Sequence, residues 1–119
     1  MHIDGSEPPN PGEIISAFQS YGVPVYITEF DVNMSNVAGS RSERFQKQAD
    51  IYKTIIRAAL DSGVCRHIDF WDVNDYNSWL DQRRGGNPNA DPTLFDDDIH
   101  PKPAYFAVRQ VLMERLTQK

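Results

Sequence analysis

VPVYITEFDV, residues 23–32, is the stretch whose reading decides the fold. β-Branched and aromatic residues dominate it. Gly22 precedes it and the polar segment NMSNVAGS (33–40) follows, the signature of a short buried strand, expected near residues 24–30. Strict alternation puts Val25, Ile27 and Glu29 on one face and Tyr26, Thr28 and Phe30 on the other. A carboxylate then shares a face with two aliphatic side chains at the carboxyl end of the strand. An ionised carboxylate in such surroundings pairs, shifts its pKa or does chemistry. A solvated or salt-bridged glutamate on the sheet rim fits the same pattern, so alternation alone leaves both readings open.

The neighbouring segments are helical. Asn10-Pro11-Gly12-Glu13 reads as an N-cap, a proline at the first helical position and a capping-box glutamate, predicting a helix over 11–21 that stops at Gly22. Ser40 and Glu43 form a second capping box. Phe45, Ala49, Tyr52, Ile56 and Ala59 then recur at spacings of four, three, four and three, predicting an amphipathic helix near 42–61 with Gly63 just beyond. HIDFWDV follows as a second strand, near 67–73, with His67, Asp69, Trp71 and Val73 on one face. Residues 74–100 form a long polar loop carrying Gly85-Gly86, two prolines and many Asn and Asp residues, a length typical of a loop that builds a site. Pro101 and Pro103 open a last helix near 103–116.

Helix, strand, helix, strand, helix, with strands nearly continuous in apolar character, is the order of an α/β fold with a parallel sheet covered by helices. A closed (β/α)8 barrel takes about 250 residues. The 119 residues here are one partial domain, 1–119, supplying about two and a half of the eight units.

Composition narrows the function classes. A net charge of -5 opposes the basic footprint of a nucleic-acid binder or an anionic-membrane binder and suits a neutral substrate. Cys65 is the only cysteine, so no intrachain disulfide forms, and no Cys/His cluster has zinc spacing; neither a metal nor a cofactor is expected. No apolar run reaches the roughly 18 residues of a membrane span. The acidic, proline-containing start does not resemble a signal peptide, so any export signal would lie upstream and the cellular address stays open.

On the second strand, Trp71 reaches the carboxyl edge that Glu29 occupies. An indole beside a carboxylate suits a sugar site, since the flat ring packs on the apolar face of a pyranose while polar neighbours bind its hydroxyls. Trp79 in the following loop is a second candidate platform. Core packing is the competing reading for both tryptophans.

Three motifs carry a family resemblance. VYITEFDV (25–32) resembles the nucleophile strand of glycoside hydrolase family 10. FWDVNDYNSWL (70–80) is similar to that family's last strand and following loop, and DPTLFDDDIHPKPAYFAVRQVL (91–112) to its carboxy-terminal signature. The resemblance implies a retaining endo-1,4-β-xylanase barrel, with xylan or xylo-oligosaccharides as substrate. It places Glu29 at the nucleophile, Trp71 and Trp79 at the walls of the sugar subsites, and His2 at a histidine that orients the nucleophile; the alternative for His2 is a disordered terminal residue. Asp72 stands where the family commonly has a small residue, often glycine, and Asp69 adds a second inward acid. The family's acid/base glutamate lies in an Asn-Glu pair, and no such pair occurs among these residues. The chain is therefore expected to be inactive alone and to need the missing amino-terminal barrel portion or self-association. A non-catalytic oligosaccharide-binding or interaction fragment using Trp71 and Trp79 is the alternative reading.

Overall fold

A computed structural model describes residues 1–80 and 86–118. Its element order is β1 (His2–Asp4), α1 (Pro11–Ser20), β2 (Val25–Asn33), α2 (Arg41–Asp61), β3 (Cys65–Phe70) and α3 (Pro103–Thr117), with a short 3-10 turn at Asp75–Asn77. The strands form one parallel sheet in the order β1-β2-β3. The predicted order began with a helix; β1 precedes it. Three residues carry too little periodicity to announce a strand, and β1 exists because it pairs with β2, His2 opposite Asp31 and Asp4 opposite Asn33.

The helix starts follow from side-chain capping. Asn10 Oδ1 accepts the Glu13 amide at 3.2 Å, and Ser40 Oγ accepts the Glu43 amide at 3.1 Å. Gly22 and Gly63 sit at φ 68° and 74° just past α1 and α2, where a side chain would clash with its own backbone. The five periodic positions of α2, from Phe45 to Ala59, are all buried. α1 and α3 flank α2. The core joins Phe18 of α1, Ile27, Phe30 and Val32 of β2, Tyr52, Ile55 and Ile56 of α2, and Val108 and Val111 of α3.

Two corrections concern the strands, and both bear on the site. β2 runs to Asn33 rather than ending at 30, and its pairing with β3 shifts register between Ile27 and Phe30. Ile27 pairs with Ile68 and Phe30 with Phe70, so three steps on β2 match two on β3. This bulge inverts the alternation: Ile27 and Phe30 both join the core, while Glu29 and Asp31 both reach His2 on the opposite face. Glu29 therefore does not share the face of Val25 and Ile27, as uniform alternation required.

β3 begins at Cys65 and stops at Phe70, short of the predicted 67–73. His67 and Asp69 do share a face, where they pair at 2.8 Å. The alternation does not extend to Val73, because Asp72 has φ 79° and ends the extended backbone. Left-handed backbone costs a residue with a Cβ roughly 1–2 kcal/mol, part of which glycine gives back through greater freedom in the unfolded chain. Asp72→Gly is thus expected to raise stability by about 0.5–1 kcal/mol. A urea midpoint that fell instead would show the aspartate making a compensating contact.

The loop after β3 is organised by buried polar bonds. Among the described residues, Lys102 and Asp75 pair at 2.9 Å with side chains 1% and 4% exposed, and Thr93 donates to Asp75 through both its amide and its hydroxyl. Part of the long polar loop predicted over 74–100, including Gly85, lies outside the described residues.

Candidate functional site

The core joins α1, α2 and α3 to one side of the sheet, and among the described residues no helix covers the other side. The open side carries Tyr26, Thr28, Glu29 and Asp31 of β2, His67 and Asp69 of β3 and His2 of β1. At the carboxyl end of the strands four side chains meet. The His2 ring is held from both ends, with Nδ1 at 2.9 Å from Asp31 Oδ1 and Nε2 at 3.1 Å from Glu29 Oε1. Asp31 is fully buried, and its second oxygen accepts the Trp79 indole N–H at 2.8 Å. The indole and imidazole meet edge to face, centroids 5.1 Å apart. Glu29 Oε1 thus faces His2, His2 faces Asp31, and Asp31 anchors Trp79.

Each link comes from a different element. β1 brings His2 opposite Asp31 by register, the β2 bulge turns Glu29 and Asp31 to the same side, and the loop after β3 delivers Trp79. The Glu29 side chain stays 43% exposed, open to a ligand, whereas Asp31 is sealed beneath it. Trp71 follows β3 directly: its amide donates to the Phe30 carbonyl at 2.9 Å, next to Glu29, and the residue is 40% exposed. Of the four residues singled out from sequence, the structure joins Glu29, His2 and Trp79 through hydrogen bonds and ring contact and sets Trp71 beside them in the backbone.

Asp31 was missed. The signal was present, since residues two apart share a strand face, but the strand was expected to stop at Phe30, which left Asp31 outside it. The buried Asp75–Lys102 pair was also unforeseen.

The sequence profile described as Glycosyl hydrolase family 10 matches residues 1–111. The chain belongs to this family. Among relatives, endo-1,4-beta-xylanase B of Thermotoga neapolitana is 34% identical over all of this chain and 34% of its own length. Endo-1,4-beta-xylanase 5 of Pyricularia oryzae is 32% identical over 93% of this chain and 27% of its own. Among solved structures, native xylanase 10B from Thermotoga maritima superposes with a TM-score of 0.85 at 31% identity, covering 100% of this chain and 36% of that one. Xylanase 10B from Thermotoga petrophila RKU-1, in complex with xylobiose, does so with a TM-score of 0.82 at 33% identity, covering 97% of this chain and 35% of that one. The family 10 chain therefore spans about a third of the length of these relatives, and its three parallel strands and three helices are part of a barrel.

Elsewhere in this family 10 chain, Asp96, Asp98 and His100 bring one potential metal-ligand atom each within 4.8 Å of one another. Asp96 Oδ1 already accepts the amides of Asp98 and His100 at 2.9 Å, and Arg41 stands 3.8 Å from Oδ2. The cluster is accounted for as a hydrogen-bonded turn. No helix among the described residues is long and apolar enough to cross a membrane.

Proposed function

We propose that this chain supplies the nucleophile half of a retaining endo-1,4-β-xylanase. The observation that carries the reading is the line of contacts from Glu29 through His2 and Asp31 to Trp79, on the open face at the carboxyl ends of parallel strands, where barrel active sites are built. The Glu29 carboxylate attacks the anomeric carbon, a glycosyl ester forms as the glycosidic C–O bond breaks, and water later hydrolyses the ester. His2 and Asp31 are positioning residues that hold the attacking oxygen. Trp79 and Trp71 wall the sugar subsites with their exposed ring faces.

The leaving oxygen of xylan needs a proton, from an acid about 5–5.5 Å from the nucleophile. Glu13 and Glu43 stand in the first turns of α1 and α2, Glu114 pairs with Arg57 between α2 and α3, and Glu7 lies in the loop after β1. Asp31 is committed to His2 and Trp79. That proton comes from outside these residues, and the chain alone leaves xylan intact.

A dinitrophenyl β-xylobioside removes the need for the acid, because its phenolate departs unprotonated. The chain is expected to release dinitrophenolate from it, and Glu29→Gln to lose that release at least a hundredfold, the order of a lost catalytic group. Equal release by parent and variant would refute the nucleophile role, and xylan turnover by the parent that vanishes in Glu29→Gln would refute the missing acid. The two indoles, 40% and 42% exposed, also suit plain oligosaccharide binding. Affinity lost in Trp71→Ala with no release from the aryl glycoside would favour that reading.

A further inference from the structure

We propose that Asp72 is a specificity-determining residue, whose carboxylate at the rim of the sugar site favours neutral xylosyl chains over chains that bear uronate groups. The proposal rests on the xylanase reading above and narrows its substrate.

Asp72 combines a strained backbone with an unengaged side chain. Its φ of 79° lies in the left-handed region, which glycine occupies far more readily than a residue with a Cβ. An aspartate settles there when its short side chain bonds to its surroundings. Asp91, the other left-handed aspartate, at φ 38°, does so: its carboxylate meets Arg44 at 3.1 Å. Asp72 does not, since it is exposed and its carboxylate has no hydrogen-bond or ion-pair partner among the described residues. Strain without a compensating contact points to a function outside folding. What the aspartate adds over glycine is a free negative charge.

The charge sits at the site already described. Asp72 follows Trp71, whose amide is bonded to the Phe30 carbonyl beside Glu29. Two residues later Asn74 caps the 3-10 turn that leads to Trp79. Asp72 therefore stands in the short connection between the two indoles. Its neighbours Trp71 and Val73 are 40% and 66% exposed, so this connection forms a rim at the strand ends instead of packing into the core.

Charge decides what such a rim accepts. Xylose carries no ionisable group, and its hydroxyls can donate to a carboxylate. A uronate group brings a second negative charge to the same place. Glu29 and Asp31 share His2 between them, Arg44 is bonded to Asp91 and Lys102 to Asp75, so none of these cations is directed at Asp72. Like charges roughly 7 Å apart in a dielectric near that of water weaken binding by about threefold, more where water is excluded and less in salt.

The test is calorimetric titration of the chain with xylotetraose and with xylotetraose carrying one glucuronosyl group, at low and high salt. The parent is expected to bind the neutral ligand about three- to tenfold more tightly at low salt, with the ratio falling in high salt. Asp72→Asn removes the charge while keeping the shape and a residue type that tolerates left-handed backbone, and should reduce the ratio about threefold. Asp72→Gly relieves the strain as well and should reduce it equally, which assigns the effect to charge. A ratio unchanged in both variants, or a parent that prefers the uronate ligand, would overturn the proposal and leave the xylanase reading standing. Binding of neither ligand would overturn both. A ratio that falls as expected while Glu29→Gln releases dinitrophenolate as fast as the parent would uphold the selectivity and remove the nucleophile assignment.

Discussion

Replacing Lys102 by methionine is expected to cost about 3–5 kcal/mol of folding stability, the range for removing one partner of a buried ion pair. The ammonium uses all three of its donors, to Asp75 Oδ2 at 2.9 Å and to the carbonyls of Asp91 and Thr93 at 2.8 Å each. It also lies 4.4 Å above the Phe45 ring. Burial pushes the Asp75 carboxyl up and the Lys102 ammonium down, while each partner's charge opposes the other's shift. Without the ammonium, Asp75 loses that opposition and its carboxyl rises further. A carboxyl raised in the folded state favours folding below its unfolded value and loses that contribution as pH climbs through the raised one. The deficit of Lys102→Met should therefore be greatest at neutral pH and shrink as pH falls toward the ordinary carboxylate range. Adding Asp75→Leu should recover part of the loss; the Asp91 carbonyl keeps its bond from Gln48, but the Thr93 carbonyl lacks the Lys102 donor and the Thr93 amide loses Asp75 as acceptor, so recovery is incomplete. Urea titrations at neutral and acidic pH check this. A single variant within 0.5 kcal/mol of the parent, the usual span of surface changes, would mean that the pair contributes nothing.

The pair also bears on the site. Asp75 opens the 3-10 turn that precedes Trp79, and its amide is tied to the Phe95 carbonyl at 3.0 Å. Lys102 stands at the N-cap of α3, so this bond holds the loop after β3 against the last helix. Nothing in the local sequence announces the partnership, because the two residues lie 27 apart and meet through tertiary folding alone. The helices show the opposite case. Asn10, Ser40, Gly22 and Gly63 act on backbone groups within a few residues, so their roles can be read from the sequence, and α1 and α2 end within a residue of expectation. Strand faces fall between these extremes. VPVYITEF declared a strand through its composition, but which way Glu29 points depends on a bulge fixed by pairing with β3, and alternation assumes a regular ladder. The motif singled out Glu29 and the tryptophans as candidates; it did not show that the second carboxylate bonded to His2 is the aspartate two residues after Glu29.

Phe30→Ala tests that bulge directly and is expected to cost about 3–5 kcal/mol. Phe30 is 1% exposed and stacks on Tyr52 of α2, centroids 4.9 Å apart, and on Phe70 of β3 at 6.0 Å. Tyr52 and Phe70 stand 6.2 Å apart, so the three rings join a helix and two strands at one point. Removing the middle ring leaves a cavity whose walls are held by three elements and collapse only in part, and forfeits about 0.5–1.5 kcal/mol for each ring pair. The chemical consequence follows from position. Phe30 lies between Glu29 and Asp31, and its burial in the core is what sends both carboxylates to the opposite side, where His2 bridges them. The variant should therefore lose the bond between Trp79 and Asp31 before it unfolds, visible as a red shift of Trp79 emission in a Trp71→Phe background at a urea concentration the parent tolerates. Phe30→Leu keeps most of the buried volume and should hold both the emission and the greater part of the stability. If the alanine variant unfolded at the parent's midpoint, the three-ring cluster would not be what fixes the bulge, and the orientation of Glu29 would need another cause.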